Sequence, residues 1–271
     1  MNLWRLIIHP PYHGAWNMAV DETILESVSS KTQFPTLRLY DWVPFTLSIG
    51  HAQPAADVNI AALRDRKWTL VRRPTGGRAI LHADELTYSV CAPVDDPTIS
   101  GSVLESYQKI SNALLLSLKL IGINANSKQK ISSDLNFSHD PVCFQFPSDY
   151  EITYQEKKLI GSAQARKKNG VLQHGAIPLF GDISRVIDVL NFSNEISMLN
   201  SKDRLLNRAT TIKETLGREI SWFELASAIT EGFSQKLEIK FVKSCLSKQE
   251  LSRAVQIYRE KYANDAWTMR I

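Results

Sequence analysis

The chain is poor in cysteine and contains none of the short motifs that mark the common catalytic classes. Its 271 residues include only Cys91, Cys143 and Cys245, an odd and widely spaced set that fits neither a disulfide framework nor a zinc site. P-loop, zinc-protease, nucleophile-elbow and dinucleotide-binding signatures are absent, which argues against phosphoryl transfer through a P-loop and against zinc hydrolysis. We therefore expect neither a metal nor a cofactor.

Long hydrophobic runs and a large excess of one charge are also missing. The N-terminal apolar segment is short and ends at Pro10 and Pro11, so we expect neither a signal peptide nor a membrane span. The net charge of +4 is small for this length and does not predict a nucleic-acid surface. Together with the cysteine usage, these features predict a cytoplasmic protein that binds neither membrane nor nucleic acid.

One local concentration of basic residues stands out, comprising Lys157, Lys158, Arg166, Lys167 and Lys168. Two interpretations are open at this point: a solvated hairpin, or a docking face for an acidic partner. The acidic residues of the 17–29 segment, Asp21, Glu22 and Glu26, lie off its apolar face, and we expect them to form a solvated helix face.

Hydrophobic periodicity predicts helices and strands that are segregated along the chain. Helical patterns cover 17–29, 102–120 after a Ser102 cap, 182–190, 221–236 and 247–262. Strand patterns cover 36–49 as a bent pair around Pro44, then 68–73, 86–92 and 237–242, with a glycine-bearing loop between the second and third and an irregular polar segment at 123–147. Three strands between 150 and 180, with turns at Glu156-Lys157 and Asn169-Gly170, predict an antiparallel meander.

This arrangement predicts an α+β fold with a largely antiparallel sheet rather than a doubly wound parallel one. No strong linker interrupts the chain. We expect a catalytic domain over residues 1–217, with residues 218–271 forming a small C-terminal α/β appendage that packs on it and is not an independent domain.

Three stretches carry residues suited to chemistry. Arginines flank Gly76-Gly77 in the run from Arg72 to Arg78, and such a loop suits an anionic ligand, although an ordinary hairpin would look the same. Lys158 begins a strand that continues with Gly161-Ser-Ala, small residues that leave room for a ligand; a surface lysine is the competing interpretation.

Cys143 is the third candidate. A free cysteine is usually a small buried hydrophobic residue, but this one lies at the end of a long polar loop, just before the meander that carries Lys158. Cys91, inside an apolar strand, and Cys245, near a helix start, lack that setting, so we expect both to be dispensable for chemistry.

Taken together, these stretches resemble the biotin/lipoate ligase and lipoyl/octanoyl transferase superfamily. The resemblance runs through NMAVDE, LRLYDWVPFTLSIGHAQ, RRPTGGRAILHADELTYSV and KLIGSAQARKKNGVLQHGAIPL to about residue 216. The stretch PVCFQFPSDYEI, which places a cysteine 15 residues before the lysine of KLIGSAQ, is similar to octanoyltransferases of the LipM type. ATP-dependent lipoate ligases generally lack that cysteine.

The resemblance implies a mixed, mainly antiparallel central sheet flanked by helices, with Cys143 as nucleophile and Lys158 as its partner. It also implies a set of substrate-binding residues: Arg73, Gly76, Gly77, His82, Gly161, Ser162, Ala163, His174 and Gly175. Where many relatives have His-Asp, this chain has His82-Ala-Asp84, and we assign Asp84 no specific role.

The resemblance further implies a donor, octanoyl-acyl carrier protein, and an acceptor, a lysine of a lipoyl-domain protein such as glycine cleavage H protein or a dehydrogenase E2 subunit. Cys143 would carry the acyl group as a thioester, and Lys158, unlike Lys157, would lower the pKa of the Cys143 thiol. Two alternatives stay open: an ATP-dependent lipoate or biotin ligase, and a binding module that has lost its chemistry.

Overall fold

A computed structural model describes residues 2–128, 142, 151–167 and 169–271 of the chain. Within these ranges the strands are β1 (Asn2–Ile8), β2 (Thr36–Tyr40), β3 (Thr46–Ile49), β4 (Thr69–Arg72), β5 (Ile80–His82), β6 (Glu85–Pro93), β7 (Asn126–Lys128), β8 (Glu151–Tyr154), β9 (Lys157–Lys167), β10 (Gly170–Pro178) and β11 (Ile239–Lys243). The α-helices are α1 (Gly14–Ser29), α2 (Ile60–Asp65), α3 (Val103–Leu120), α4 (Glu195–Arg208), α5 (Ile212–Leu216), α6 (Trp222–Leu237), α7 (Lys248–Ile257) and α8 (Asp265–Thr268).

Eight strands form the central sheet in the order β11-β1-β2-β6-β10-β9-β8-β7. The pairs β11–β1 and β1–β2 are parallel, and the five remaining pairs are antiparallel. The predicted α+β class with a mixed, mainly antiparallel sheet is therefore confirmed. The predicted meander is present as β8–β9–β10, with its first turn at Gln155-Glu156, where both residues have positive φ, one residue earlier than expected.

A second sheet of three strands, in the order β4-β3-β5, lies beside the first. The expected strand pair around Pro44 is thus divided, because β2 joins the large sheet and β3 joins the small one. Strand β5 falls inside the segment predicted to be only a loop. Its three residues are too few to give a clear alternation of apolar and polar residues in the sequence.

Side chains alternate along the strands of the large sheet, so apolar residues lie on both of its faces. Helices cover both faces. On one face, Tyr88 and Val90 of β6 pack in the cluster that contains α3 and α6. On the other face, Cys91 of β6 packs against Val20 and Ile24 of α1. Ser102 caps α3, as the sequence predicts, and the structure adds a capping box with Glu105. None of the helices in the described ranges has both the length and the apolar character needed to cross a membrane.

Residues 218–271 contribute one strand to the large sheet and helices that pack on α3 and α1. Strand β11 adds to the large sheet beside β1, α6 packs on α3, and α7 packs on α1. The division of the chain at residue 217 stays a prediction.

The expectation that Asp21, Glu22 and Glu26 form a solvated face is wrong. Asp21 and Glu22 are buried, and Glu26 is half-buried in a salt bridge of 2.7 Å to Arg253. Helix α1 lies between the large sheet and the C-terminal segment, so its acidic side faces protein. Cationic groups from both neighbours compensate the buried charges, as buried carboxylates require.

Candidate active site

A cavity of about 150 Å³ lies between the large sheet, the small sheet and the glycine loop, which we define as residues 73–79. The lining includes all nine predicted substrate-binding residues together with Lys158. It also includes Met18, Tyr40, Trp42, Ser48, Arg78, Ile80, Thr87 and Ala176. Cys143 lies outside the described residues. The structure thus brings the predicted glycine loop, the small-residue strand and Lys158 to one place, while their roles stay predictions.

The wall contributed by the large sheet is made by small residues. Gly161, Ser162 and Ala163 on β9 pair in register with Ala176, Gly175 and His174 on β10. A Cβ atom at Gly175 would stand 2.7 Å from the Gly161 carbonyl oxygen and 2.6 Å from the Tyr88 ring. A side chain at Gly175 would therefore clash with the wall, and the small residues open the space that forms the cavity.

The opposite wall is the glycine loop, which Arg73 holds by hydrogen bonds to its backbone. The two Arg73 Nη atoms donate to the carbonyl oxygens of Ser48, Gly76 and Arg78 at 2.8–3.0 Å. Gly77 has φ 93°, a conformation that favours glycine. The loop passes so close to Gly50 that a Cβ there would lie 1.9 Å from the Gly77 carbonyl oxygen.

Arg72 does not line the cavity. It is fully buried on the other side of β4, where its guanidinium donates to the carbonyl oxygens of Gly50, Gln53 and Thr268 at 2.6–3.0 Å. Both adjacent arginines therefore hydrogen-bond to backbone carbonyl groups around the loop. Because Arg72 does not reach the cavity, only Arg73 and Arg78 remain candidates for binding an anionic ligand.

Lys158 is buried at the inner end of β9, with its Nζ 2.7 Å from Oε1 of Glu151 on β8. Lys157 points away from the cavity and donates to the Leu206 carbonyl oxygen at 3.2 Å. This is the alternation expected for neighbouring strand residues. The proposed basic concentration is therefore not one surface: Lys158 is internal, Arg166 and Lys167 lie at the far end of β9, and Lys168 lies outside the described residues.

His82 stands in a chain of hydrogen bonds on the small-sheet side of the cavity. Its Nε2 is 2.8 Å from Ser48 Oγ, and its Nδ1 is 2.8 Å from Glu85 Oε1. The ring of Trp42 stacks on the imidazole with centroids 3.9 Å apart. Thr87 donates to the same Glu85 carboxylate, and Trp42 Nε1 donates to Thr87 at 2.7 Å.

His174 stands in a second chain on the large-sheet side. Its Nε2 is 2.7 Å from the hydroxyl of Thr75 in the glycine loop, and its Nδ1 is 3.5 Å from Asp21. Burial lowers the pKa of His174 because it penalises the imidazolium, although Asp21 opposes this effect. A neutral His174 with its proton on Nδ1 accepts the Thr75 hydroxyl, so this histidine links the loop to the sheet.

Asp21 anchors the second chain. Its carboxylate accepts from Arg38 Nη1 at 2.7 Å and from the Tyr40 hydroxyl at 2.9 Å. Burial pushes the pKa of Asp21 upward, but Arg38 and His174 outweigh burial and hold that pKa below its ordinary value. Asp21 is therefore a buried carboxylate whose charge is compensated by a buried guanidinium.

The two described cysteines lack the features of a nucleophile. Cys91 is buried between β6 and α1, and burial raises the pKa of its thiol far above the usual range. Cys245 is exposed just before α7 and does not line the cavity. Among the described residues, no cluster of His, Cys, Asp and Glu side chains is arranged to hold a metal ion.

Several cavity and supporting residues escaped the sequence analysis, among them Trp42, Ser48, Glu85, Asp21 and Glu151. A weak signal existed for Glu85, because it follows His82 by three residues and immediately precedes the predicted strand 86–92. Nothing in the sequence indicates that Ser48, on another strand, is the second partner of His82. Pairings between strands that are far apart in the chain are decided by tertiary structure.

Comparison with known proteins shows which family and fold the chain is similar to. The family model described as "Lipoyl protein ligase A/B catalytic domain" matches residues 13–234. A protein of Carboxydothermus hydrogenoformans named octanoyltransferase LipM is 41% identical over all of both chains. The structure of a bi-partite lipoate protein ligase from Thermoplasma acidophilum superposes with a TM-score of 0.83 and 25% identity over 99% of this chain and 97% of that one. A lipoate-protein ligase A bound with ATP gives a TM-score of 0.80 at 26% identity over 99% of each chain.

Proposed function

The chain belongs to the lipoyl protein ligase A/B catalytic-domain family, and we propose that it is an octanoyltransferase of protein lipoylation that works through a Cys143 thioester. The donor is octanoyl-acyl carrier protein, and the acceptor is a lysine of a lipoyl-domain protein. The observation that carries the proposal is the cavity, which joins a buried lysine, the glycine loop and an apolar lining in a chain similar over its whole length to an octanoyltransferase.

The cavity suits the acyl tail of this substrate. Met18, Trp42, Ile80 and Ala176 give it apolar surface. Each buried methylene contributes about 0.8 kcal/mol, so the six methylenes of an octanoyl chain contribute about 5 kcal/mol. Binding of this size positions the thioester carbonyl for attack.

The first half-reaction exchanges one thioester for another. The Cys143 sulfur attacks the carbonyl carbon, the bond to the carrier sulfur breaks, and the departing carrier thiolate takes up the proton that Cys143 gave up. In the second half-reaction the acceptor amine forms the amide bond and Cys143 leaves as a thiolate. Conversion of a thioester to an amide is downhill, so this route needs no ATP.

Lys158 supports the proposal because its ammonium lines the cavity, where it would stabilise negative charge on the Cys143 sulfur and on the carbonyl oxygen in the transition state. Glu151 adds a refinement that the sequence did not suggest. Its carboxylate lies 2.7 Å from Lys158 Nζ, so it fixes the ammonium in place while offsetting part of its charge.

Intact-mass measurement tests the function. Incubation with octanoyl-acyl carrier protein, without ATP and without acceptor, should add one octanoyl group that hydroxylamine removes, and addition of a lipoyl domain should transfer that group to one lysine. Cys143→Ala should gain no octanoyl group, whereas the matched controls Cys91→Ala and Cys245→Ala should gain it as the wild type does.

The rival function is an ATP-dependent lipoate ligase, which the similarity to the ATP-bound lipoate-protein ligase A favours. In that case acyl transfer would require ATP together with free lipoate or octanoate, and Cys143→Ala would remain active. Either result would overturn the transferase proposal.

A further inference from the structure

The small-sheet side of the cavity contains a serine, a histidine and a glutamate in one directed chain of hydrogen bonds. Ser48 Oγ, His82 and Glu85 are joined by two contacts of 2.8 Å, and Ser48 and His82 both line the cavity with Lys158. The three side chains are buried. They come from β3, β5 and β6, so the tertiary structure brings together side chains from three separate strands to form this hydrogen-bond chain.

The hydrogen-bond partners of His82 and Ser48 determine which atom donates and which accepts at each step of this hydrogen-bond chain. The Glu85 carboxylate can only accept, so the proton of a neutral His82 is on Nδ1 and its Nε2 is an acceptor. Ser48 Oγ accepts from Arg73 Nη1 at 3.2 Å, which leaves its own proton for His82 Nε2. The free lone pair of the imidazole is therefore directed toward Ser48 at the cavity, which is the arrangement of a base with an orienting carboxylate.

We propose that His82 is the base that deprotonates the acceptor lysine in the second half-reaction, with Glu85 as its positioning residue and the Ser48 hydroxyl as the relay. This inference rests on the proposed function and assigns a task that the Cys143–Lys158 pair leaves open. The acceptor lysine is an ammonium at neutral pH, because its ordinary pKa is about 10.4, and it must lose a proton before it can attack.

The protons and bonds balance as follows. The ammonium gives one proton to Ser48 Oγ as the Ser48 proton passes to His82 Nε2, and Glu85 stabilises the resulting imidazolium. The amine nitrogen then bonds to the thioester carbonyl carbon, and the carbon–sulfur bond to Cys143 breaks. The nitrogen's second proton goes to the leaving thiolate, which restores the Cys143 thiol, and His82 releases its proton to solvent.

Several charged or titratable groups surround His82 on other elements. Those that line the same cavity or interact with His82 electrostatically are Tyr40, Asp41, Arg73, Arg78, Lys158 and His174. Glu85, in direct contact at 2.8 Å, is the group that stabilises the imidazolium, so its removal should weaken the base.

The experiment separates the two half-reactions in the full-length protein. The acyl-enzyme is prepared with octanoyl-acyl carrier protein, freed of donor, and mixed with a lipoyl domain across a range of pH in single-turnover mode. Glu85→Gln should form the acyl-enzyme at a rate within a few-fold of wild type. It should transfer the acyl group to lysine on the order of 100-fold more slowly, with the acid limb of its pH profile moved to lower pH.

Hydroxylamine supplies a readout that a merely structural role would not produce. It is unprotonated at neutral pH and needs no base, so the Glu85→Gln acyl-enzyme should be cleaved by it at the wild-type rate. Asp84→Asn is the matched control: it is the adjacent carboxylate, it pairs with Arg185, and asparagine tolerates its positive φ. This control should transfer to the lipoyl domain normally.

The outcomes are distinguishable from failure of the proposed function. If the wild type forms no acyl-enzyme, the transferase proposal fails. If it does, and Glu85→Gln transfers to the lipoyl domain at the wild-type rate and with an unchanged pH profile, the assignment of His82 and Glu85 is overturned. Equal slowing of lysine transfer and hydroxylamine cleavage would also overturn it, since both would then reflect a damaged site.

Discussion

Two histidines line the cavity with nearly the same hydrogen-bond partners, yet the charges around those partners differ. Each has a carboxylate at Nδ1 and a hydroxyl at Nε2: Glu85 and Ser48 for His82, Asp21 and Thr75 for His174. The carboxylate beside His174 also pairs with the buried Arg38. Within the described residues, Glu85 has no arginine or lysine partner and accepts from Thr87 and His82.

This difference indicates different tasks. Arg38 compensates the charge of Asp21, and burial keeps His174 neutral, so the His174 chain serves as a link between the sheet and the glycine loop. The charge of Glu85 remains to stabilise a proton on His82. A histidine–carboxylate pair is therefore not enough to identify a base, because the other partners of the carboxylate decide how much of its charge the histidine experiences.

The largest effect that tests this comparison is on stability. Asp21→Asn would leave the Arg38 guanidinium buried without a carboxylate, a loss of about 3–5 kcal/mol in the free energy of unfolding. Glu85→Gln removes no partner of a buried cation and should cost about 1–3 kcal/mol. Urea denaturation of both variants measures the difference. Equal losses in the free energy of unfolding would contradict the conclusion that a buried cation pairs with Asp21 but not with Glu85.

A second test uses the pH dependence of stability. Burial holds the pKa of His174 below its ordinary value of about 6.5, so below that pH the unfolded chain binds a proton that the folded protein excludes. The contribution of His174 to the free energy of unfolding should therefore fall as pH is lowered through this window, by at most about 1.4 kcal/mol per pH unit for one proton.

Substitution of His174 checks this origin. His174→Gln should reduce the slope of unfolding free energy against pH, measured by denaturant titration at each pH. The slope that remains combines opposing contributions, because burial and then Arg38 lower the pKa of His9 to about 4 whereas burial raises the pKa of Asp41 to about 6. The test is therefore the decrease in slope between the wild type and His174→Gln. A variant with the full wild-type slope would contradict a neutral, buried His174.

The smallest expected effect concerns Asp41, which lies near Glu85. Burial raises the pKa of Asp41 to about 6; the backbone N–H of Trp42 opposes this, and the charges of Glu85 and Asp84 add to it. Glu85→Gln should lower the pKa of Asp41 by a fraction of a unit, since one repelling charge is lost. Asp21→Asn, on the other side of the cavity, should leave it unchanged. Carboxyl carbon NMR titration resolves the two cases.

Much of this protein was determined by the sequence alone. The 3.6-residue period with its Ser102 cap predicted α3, the alternating segments around two tight turns predicted the β8–β9–β10 meander, and ordered motifs pointed to the family. The selection of Lys158 over Lys157 also followed from sequence. Neighbouring residues on a strand face opposite sides, so only one of the two can face the cavity, and the following small-residue run and the family's motif selected Lys158. These features are local, so they can be derived from residue order.

Only the tertiary structure decided which polar residues are buried and what compensates them. Asp21 and Glu22 have the pattern of a solvated helix face, but the large sheet and the C-terminal segment cover them with cationic partners. Ser48 and Glu85 meet at His82 because three strands converge there. Such pairings join residues far apart in the chain, and their free energies depend on burial and neighbouring charges, which the order of residues does not specify.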